Sequence, residues 1–481
     1  MKKYFTGVFI FLSAVSSFAQ WQPDLGLVTD PSDSYLSYNN TRCIAMDGSN
    51  VYIVWMDIRD ANREIYFKRS TDAGLTWGSD TRLTDNPGWS DSPCIAVSGP
   101  VIHVIWMDDR DESYYPEIYY KRSTDGGLTW GEDVRLTFDP SDPGVPSIAV
   151  TGSDVHIAWH DIRDGNWEIY YKRSIDGGLT WQADQRLTND PATSERPSIA
   201  VSGLSPNEEV SVVWDDDRDG DKEIYFLHSA DGGVTWQAQT RLTNSVGESE
   251  AACIGAFNSN VHVTWVDSRD GNSEIYYKKS TDNGLTWGDD TRLTNDPVVS
   301  ANPSIAVSDN NLHIVWIDWR DGNEEVYYNH STDNGVSWGP DTRLTNNAAN
   351  SENAFITVSG PVVHVLWQDM RNGNNDIFYK QNPTGNLITG IADLPTEAGF
   401  EVFPNPTTGK FQIQNSKFQT NSKIQNQKVE LLDLDGKVVE SFNLESGIWN
   451  LEFNISRCPA GVYFVRISFS DSIILRRIVK L

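Results

Sequence analysis

The stretch Val155-His-Ile-Ala-Trp159-His-Asp161-Ile-Arg163, followed by Glu168-Ile-Tyr-Tyr171 and Ser174-Ile-Asp176-Gly-Gly178-Leu-Thr180-Trp181, decides the fold because the chain writes it repeatedly. Its central motif, Trp-x-Asp-x-Arg, starts at Trp55, Trp106, Trp159, Trp214, Trp265, Trp316 and Trp367, at spacings of 51, 53, 55, 51, 51 and 51 residues. A fixed period of this length marks a repeat architecture in which each unit is one supersecondary structure. Alternation of Val155, Ile157 and Trp159 suits a pleated strand rich in β-branched and aromatic side chains. Four strands per unit are expected, centred on 147–150, 155–159, 168–171 and 186–188, with Gly- and Asp-rich turns between them. Four-stranded units repeated radially make a β-propeller, so seven motif copies predict seven blades.

Equivalents of the Ser174–Trp181 octapeptide begin at Ser70, Ser123, Ser229, Ser280 and Ser331, giving six copies of Ser-x-Asp-x-Gly-x-Thr/Ser-Trp. In each, the carboxylate of Asp72, Asp125, Asp176, Asp231, Asp282 or Asp333 is placed to accept backbone N–H groups a few residues on, and Gly supplies the positive φ. This octapeptide resembles the Asp-box, or bacterial neuraminidase repeat, of sialidases and many non-sialidase propellers, and the resemblance covers nearly all of residues 21–380. It implies a structural turn on the face away from any ligand site. Six boxes against seven Trp-x-Asp-x-Arg strands leave the last unit incomplete after Lys380. Trp21 to Thr29 aligns with Trp77 to Thr84, with Gly26 where Arg is usual, and is expected to complete the seventh blade. Such closure removes exposed sheet edges.

Residues 1–19 carry Lys2-Lys3, an apolar run from Phe5 to Val15 and Ser17-Phe18-Ala19, the pattern of a removed signal peptide. The propeller is expected over 20–381 and a linker over 382–398. Residues 399–481 hold Phe403-Pro-Asn-Pro-Thr-Thr-Gly409, Val429-Glu-Leu-Leu-Asp-Leu-Asp-Gly436, Pro459-Ala-Gly461-Val-Tyr-Phe-Val-Arg466 and Arg477-Ile-Val-Lys480-Leu. These landmarks resemble the type A sorting domain of type IX secretion, which implies the secretion machinery as a partner and a secreted or surface-attached product. The expected fold is thus all-β: a seven-bladed β-propeller closed by an N-terminal strand, plus a small C-terminal β-sandwich.

Lys plus Arg is 38 against 67 Asp plus Glu, a net charge of −29 that repels phosphate backbones and argues against nucleic acid. No later segment is long and apolar enough to span a membrane. Four cysteines are too few for a disulfide framework. Cys43, Cys94 and Cys253 occupy a repeat position read as elsewhere holding Ser147, Ser198, Ser304 and Ala354, so small size is expected to be what that site selects.

A residue type present in every blade is expected to build blades. On that ground His103, His156, His262, His313 and His364, each three residues before a strand Trp, are read as structural, as are most Asp-x-Arg pairs. No cofactor or metal and no catalytic residue is expected. A calcium loop at Asp-x-Arg is the weighed alternative, although the usual ligand order is absent. Ligand contacts should come from repeat-breaking positions on the face opposite the boxes: Trp89, Tyr114, Tyr115, Phe138, His160, Trp167 and Trp319. The expected function is non-catalytic binding of an extracellular glycan or protein. A sialidase-like glycosidase is the alternative, and a structural or adhesion protein without a small-molecule ligand is the third. The sialidase resemblance would require three arginines clamping a carboxylate, and the family's Arg-Ile-Pro motif is absent.

Overall fold

The computed structural model describes residues 21–37, 42–111, 115–139, 141–203 and 208–383, and, further on, 400–403, 410–415, 427–432, 438–444, 450–459, 461–468 and 473–480. The signal peptide, most of the linker and Tyr114 lie outside the described residues.

Each repeat folds as an antiparallel sheet with strands A to D in sequence order. In the third blade these are Pro143–Thr151, Asp154–Asp161, Glu168–Ser174 and Gln185–Arg186. Strand A begins earlier than its alternation shows, because a bulge between Gly144 and Ser147 shifts the register and breaks the period. Strand D is only two residues long, since it pairs with strand C alone and forms the blade's outer edge.

The inner A strands touch in sequence from the first blade to the seventh, and the seventh, Ser351–Ser359, touches Ile44–Asp47 of the first, so the ring is closed. Leu25–Val28 pairs antiparallel with Asp376–Asn382, with Leu25 opposite Tyr379 and Gly26 opposite Phe378. The N-terminal strand is therefore strand D of the seventh blade. The usual Arg of strand D ion-pairs a buried Glu at the start of strand C, as Arg186 does with Glu168. In the seventh blade Gly26 replaces that Arg, and Asp376 takes the acid's place, held instead by Asn372 and Asn374 at 2.6 and 2.9 Å.

The core lies between blades. Ala158, Ile169 and Tyr171 of the third blade pack with Ile199, Val212 and Trp214 of the fourth, and the other seams repeat this. All seven motif tryptophans are buried. An aromatic side chain buries about 150–250 Å², roughly 4–6 kcal/mol each as an upper figure.

Cys43, Cys94 and Cys253 are buried free thiols. The strand register corrects one sequence assignment. Phe355, not Ala354, stands opposite Leu366 at their position in the seventh blade, so the site does not select smallness throughout. Its wider use is stitching: Ser147 Oγ accepts the Ile199 N–H at 3.3 Å and Ser198 Oγ the Ile254 N–H at 3.4 Å, each from the next blade. Phe355 instead fills the seam with the first blade, beside Cys43 and Ile44.

Near the C-terminus, Phe400–Phe403, Lys410–Asn415 and Asn450–Asn454 form one antiparallel sheet. Gln427–Leu432, Val438–Leu444, Gly461–Ser468 and Ile473–Lys480 form another. Among the described residues no helix is long and apolar enough to cross a membrane.

Candidate functional site on the hairpin face

The B–C hairpins and the D–A connections share one end of the propeller, and the boxes occupy the other. In the fifth blade, Asp267 Oδ2 accepts hydrogen bonds from Trp265 Nε1, Ser249 Oγ and Arg269 Nη2 at 2.8, 2.9 and 2.5 Å. Its Oδ1 accepts from the Arg269 backbone N–H and Nε. Arg269 Nη1 reaches Asp290 at 2.7 Å, which also pairs with Lys278, and the guanidinium lies 4.5 Å over the Tyr276 ring. Burial works against the Asp267 carboxylate, yet the bonds from Arg269 and Trp265 hold it below the usual range. All seven blades repeat the arginine–aspartate pair. Both oxygens are filled by hydrogen-bond donors, so the arrangement suits ion pairing rather than calcium ligation.

At the box end, Asp176 Oδ2 accepts from the Thr180 hydroxyl at 2.6 Å, and Oδ1 accepts from the Thr180 and Leu179 N–H groups and Ser174 Oγ. The Thr180 bonds, above all the hydroxyl's, pull the carboxyl down to about 2. Each box Trp then meets the preceding blade edge-on, as Trp181 does Tyr120 at 5.0 Å. Trp21 does the same to Tyr328 at 4.9 Å, so a strand without a box still supplies the seventh clamp.

The five-histidine ring is internal to the blades. His103, His156, His262, His313 and His364 each bond through Nδ1 to the hydroxyl of Tyr120, Tyr171, Tyr277, Tyr328 or Tyr379. Where the His position holds Tyr52 or Ser211, the partner position holds Phe67 or Phe226, which has no hydroxyl to satisfy.

Several positions that break the repeat meet on the hairpin face of the third to fifth blades. The residue after the motif Trp is apolar in Met56, Met107, Val266 and Ile317 but polar in His160, Asp215 and Gln368. His160 Nδ1 accepts the Arg196 N–H at 3.0 Å, and its ring meets Trp167 edge-on at 4.7 Å. A side chain at Gly144 would collide with His160 Nε2, so that glycine makes the room the imidazole needs. Burial pushes the imidazole down to about 4, which keeps it neutral. Arg196, at a left-handed φ of 55°, sends Nε to Asp215 at 2.9 Å and Nη2 to Glu250 at 2.8 Å. Lys222 holds Glu195 at 2.7 Å. Asp215 is 0% exposed, and burial pushes its carboxyl up to about 7 despite Arg196 and the Ala251 N–H on Oδ2.

Residues 401–481 match the family described as Secretion system C-terminal sorting domain. The chain is 24% identical over 257 residues to Xyloglucanase Xgh74A of Acetivibrio thermocellus, covering 44% of this chain and 24% of that protein. It is 26% identical over 167 residues to a sialidase of Clostridium perfringens, covering 28% of this chain and 44% of that protein. The chain thus spans under half the length of either relative. Among solved structures, the polysaccharide lyase Uly1 superposes with a TM-score of 0.50 at 8% identity, over 75% of this chain and 99% of that one, which is a likeness of fold. The protein is a seven-bladed β-propeller that carries a secretion system C-terminal sorting domain. That domain implies export by the type IX machinery to the outer surface.

The expected ligand residues differ in exposure and in their neighbours. Phe138 is 70% exposed and stacks on the Arg135 guanidinium at 5.1 Å. Trp89, Tyr115, Trp167 and Trp319 are half-buried rather than free platforms, and Trp319 packs against the core beside Trp367 and Phe378. His160 and Trp167 are brought together, whereas Trp89 sits a blade away, its N–H bonded to Asp109. Sequence reasoning missed Arg196, Asp215, Glu195, Glu250 and Lys222. The signal for Asp215 was present, because an Asp directly after the motif Trp occurs in one repeat of seven.

Proposed function

We propose that this Asp-box propeller is a surface-displayed, non-catalytic binding protein that takes an extracellular glycan or protein on its hairpin face. The leader at 1–19, propeller at 20–381, linker at 382–398 and sorting segment at 399–481 belong to the same proposal. The observation that carries it is the saturation of the motif arginines. Each of the seven is paired to its own aspartate and lies over a Tyr or Phe ring, so none is free to clamp a substrate carboxylate by forked hydrogen bonds. The hydroxyls of Tyr119, Tyr225 and Tyr327 are likewise committed, to Asp111, Asp219 and Asp321. What remains for recognition is Phe138, the edge of Trp167 and the charged group of Glu195, Arg196, Lys222 and Glu250. A glycan array and a surface-protein pull-down with the mature chain test this. Binding that survives Phe138→Ala together with Trp167→Ala refutes the location.

A second reading, glycoside cleavage, is favoured by Asp215, whose carboxyl burial pushes up to about 7, into the range where a general acid can still carry its proton. Its burial keeps it from a ligand unless Arg196 moves. Turnover of a fluorogenic sialoside or of xyloglucan, abolished by Asp215→Asn, would establish it over the binding reading.

A further inference from the structure

Around the axis, toward the box face, the inner strands enclose a tunnel cavity of about 170 Å³. Ile44, Ile95, Val97, Ile148 and Val150 are among the side chains that line it, and Arg42 is its one charged lining side chain among the described residues. Arg42 belongs to the first blade, where its carbonyl accepts the Ile95 N–H at 2.9 Å and fixes the backbone against the second. Its Nη2 crosses the bore and donates to the Ile254 carbonyl of the fifth blade at 3.0 Å. The motif arginines each meet a carboxylate, whereas no carboxylate of the described residues comes within 4.0 Å of Arg42.

A guanidinium carries five N–H donors, and one neutral carbonyl leaves half-buried Arg42 without a counter-ion in a half-open channel whose Ile and Val side chains share the lining with backbone polar groups. We propose that Arg42 holds a small monovalent inorganic anion of halide size in the tunnel, bridging the first and fifth blades. At about 30 Å³ per water, the cavity has room for roughly five waters, which suits a halide with part of its hydration shell. The net charge of −29 opposes entry from afar, but at physiological salt it is screened beyond about 8 Å, which leaves the local guanidinium to decide. This site is independent of any ligand on the hairpin face. Its effect is a halide-dependent stiffening of the closed ring.

The test uses the mature full-length chain. Thermal unfolding is followed in sodium bromide against sodium gluconate at constant ionic strength, and bromide-soaked crystals are measured for anomalous scattering. A bromide peak at the Arg42 guanidinium is expected. With it should come a saturable Tm gain of about 3–4 °C at a hundredfold excess over Kd, lost in Arg42→Gln. No peak at Arg42, a peak without any halide-specific Tm gain, or an equal gain in Arg42→Gln would each overturn the site. If Arg42→Gln does not fold, the wild-type peak and the wild-type halide titration together decide.

Discussion

Substituting Asp24 by Ala tests the ring closure at one side chain. Asp24 Oδ2 accepts from Arg371 Nη1 at 2.8 Å and Oδ1 pairs with Lys380 Nζ at 2.7 Å, tying the N-terminal strand to the B–C hairpin and strand C of the last repeat. Asp184 makes the same pair of contacts inside the third blade, with Arg163 at 2.8 Å and Lys172 at 2.9 Å. Two charge-assisted hydrogen bonds are worth about 1.5–3 kcal/mol each. The acids are 22–23% exposed, so solvent screening roughly halves that sum to about 1.5–3 kcal/mol in total. Arg371 keeps Asp369 and Arg163 keeps Asp161, while Lys380 and Lys172 keep the Leu344 and Leu136 carbonyls, so no cation is stranded. Over the roughly 360 residues of the propeller this corresponds to a Tm loss of about 2–4 °C. Asp24→Ala and Asp184→Ala should therefore cost the same within about 0.5 kcal/mol in denaturant titrations. A loss at Asp184 with wild-type stability in Asp24→Ala would show that the N-terminal strand does not seat as strand D, and the closure argument would fall.

The Asp125, Asp176, Asp282 and Asp333 carboxyls, pulled down to about 2 first by the Thr or Ser hydroxyl of their own box, have folded values below the ordinary unfolded one of about 3.9. Their contribution is present above pH 4 and lost as pH falls toward 2, so Thr180→Val should move the acid-unfolding midpoint upward, as circular dichroism would record. The histidines act earlier. Burial lowers His103 to about 4 and His262, His313 and His364 to about 3, so the unfolded chain binds more protons from about pH 6.5 downward, and stability should decline from that pH. His262→Ser alone strands the Tyr277 hydroxyl at a cost of about 1–3 kcal/mol; adding Tyr277→Phe, which copies the Ser211 and Phe226 of the fourth blade, should recover part of it in urea titrations. Burial pushes the Cys94 thiol up to about 11, so a thiol reagent should label it at the rate of global unfolding, and prompt labelling of the native protein would contradict its burial.

Much of the blade-level arrangement is legible in the repeat because its substitutions are correlated. Tyr rather than Phe accompanies every His of the ring, and in the fourth blade Leu227 and Gln239 stand where the other blades hold Lys, save for Asn329 in the sixth, and Asp. Gln239 Nε2 there bonds the Leu187 carbonyl that a lysine would otherwise reach, as Lys278 reaches Leu242. The candidate site was less legible. Aromatic residues outside the motif stood out in the sequence, but that Trp319 lies half-buried against a core cluster did not, because outlying position along the chain says nothing about what a neighbouring blade covers.

The sequence alone determined the number of blades, the box turns and the partial last repeat, since each depends on contacts within about 50 residues that the period repeats. Only the tertiary structure decided what meets across blades: Arg196 against Asp215 and Glu250, Phe355 at the cysteine position, and Arg42 reaching Ile254 across the axis. Local spacing fixes which residues share a strand and a face, but contacts between strands of different blades depend on the curvature with which the ring closes, and no short-range pattern encodes that.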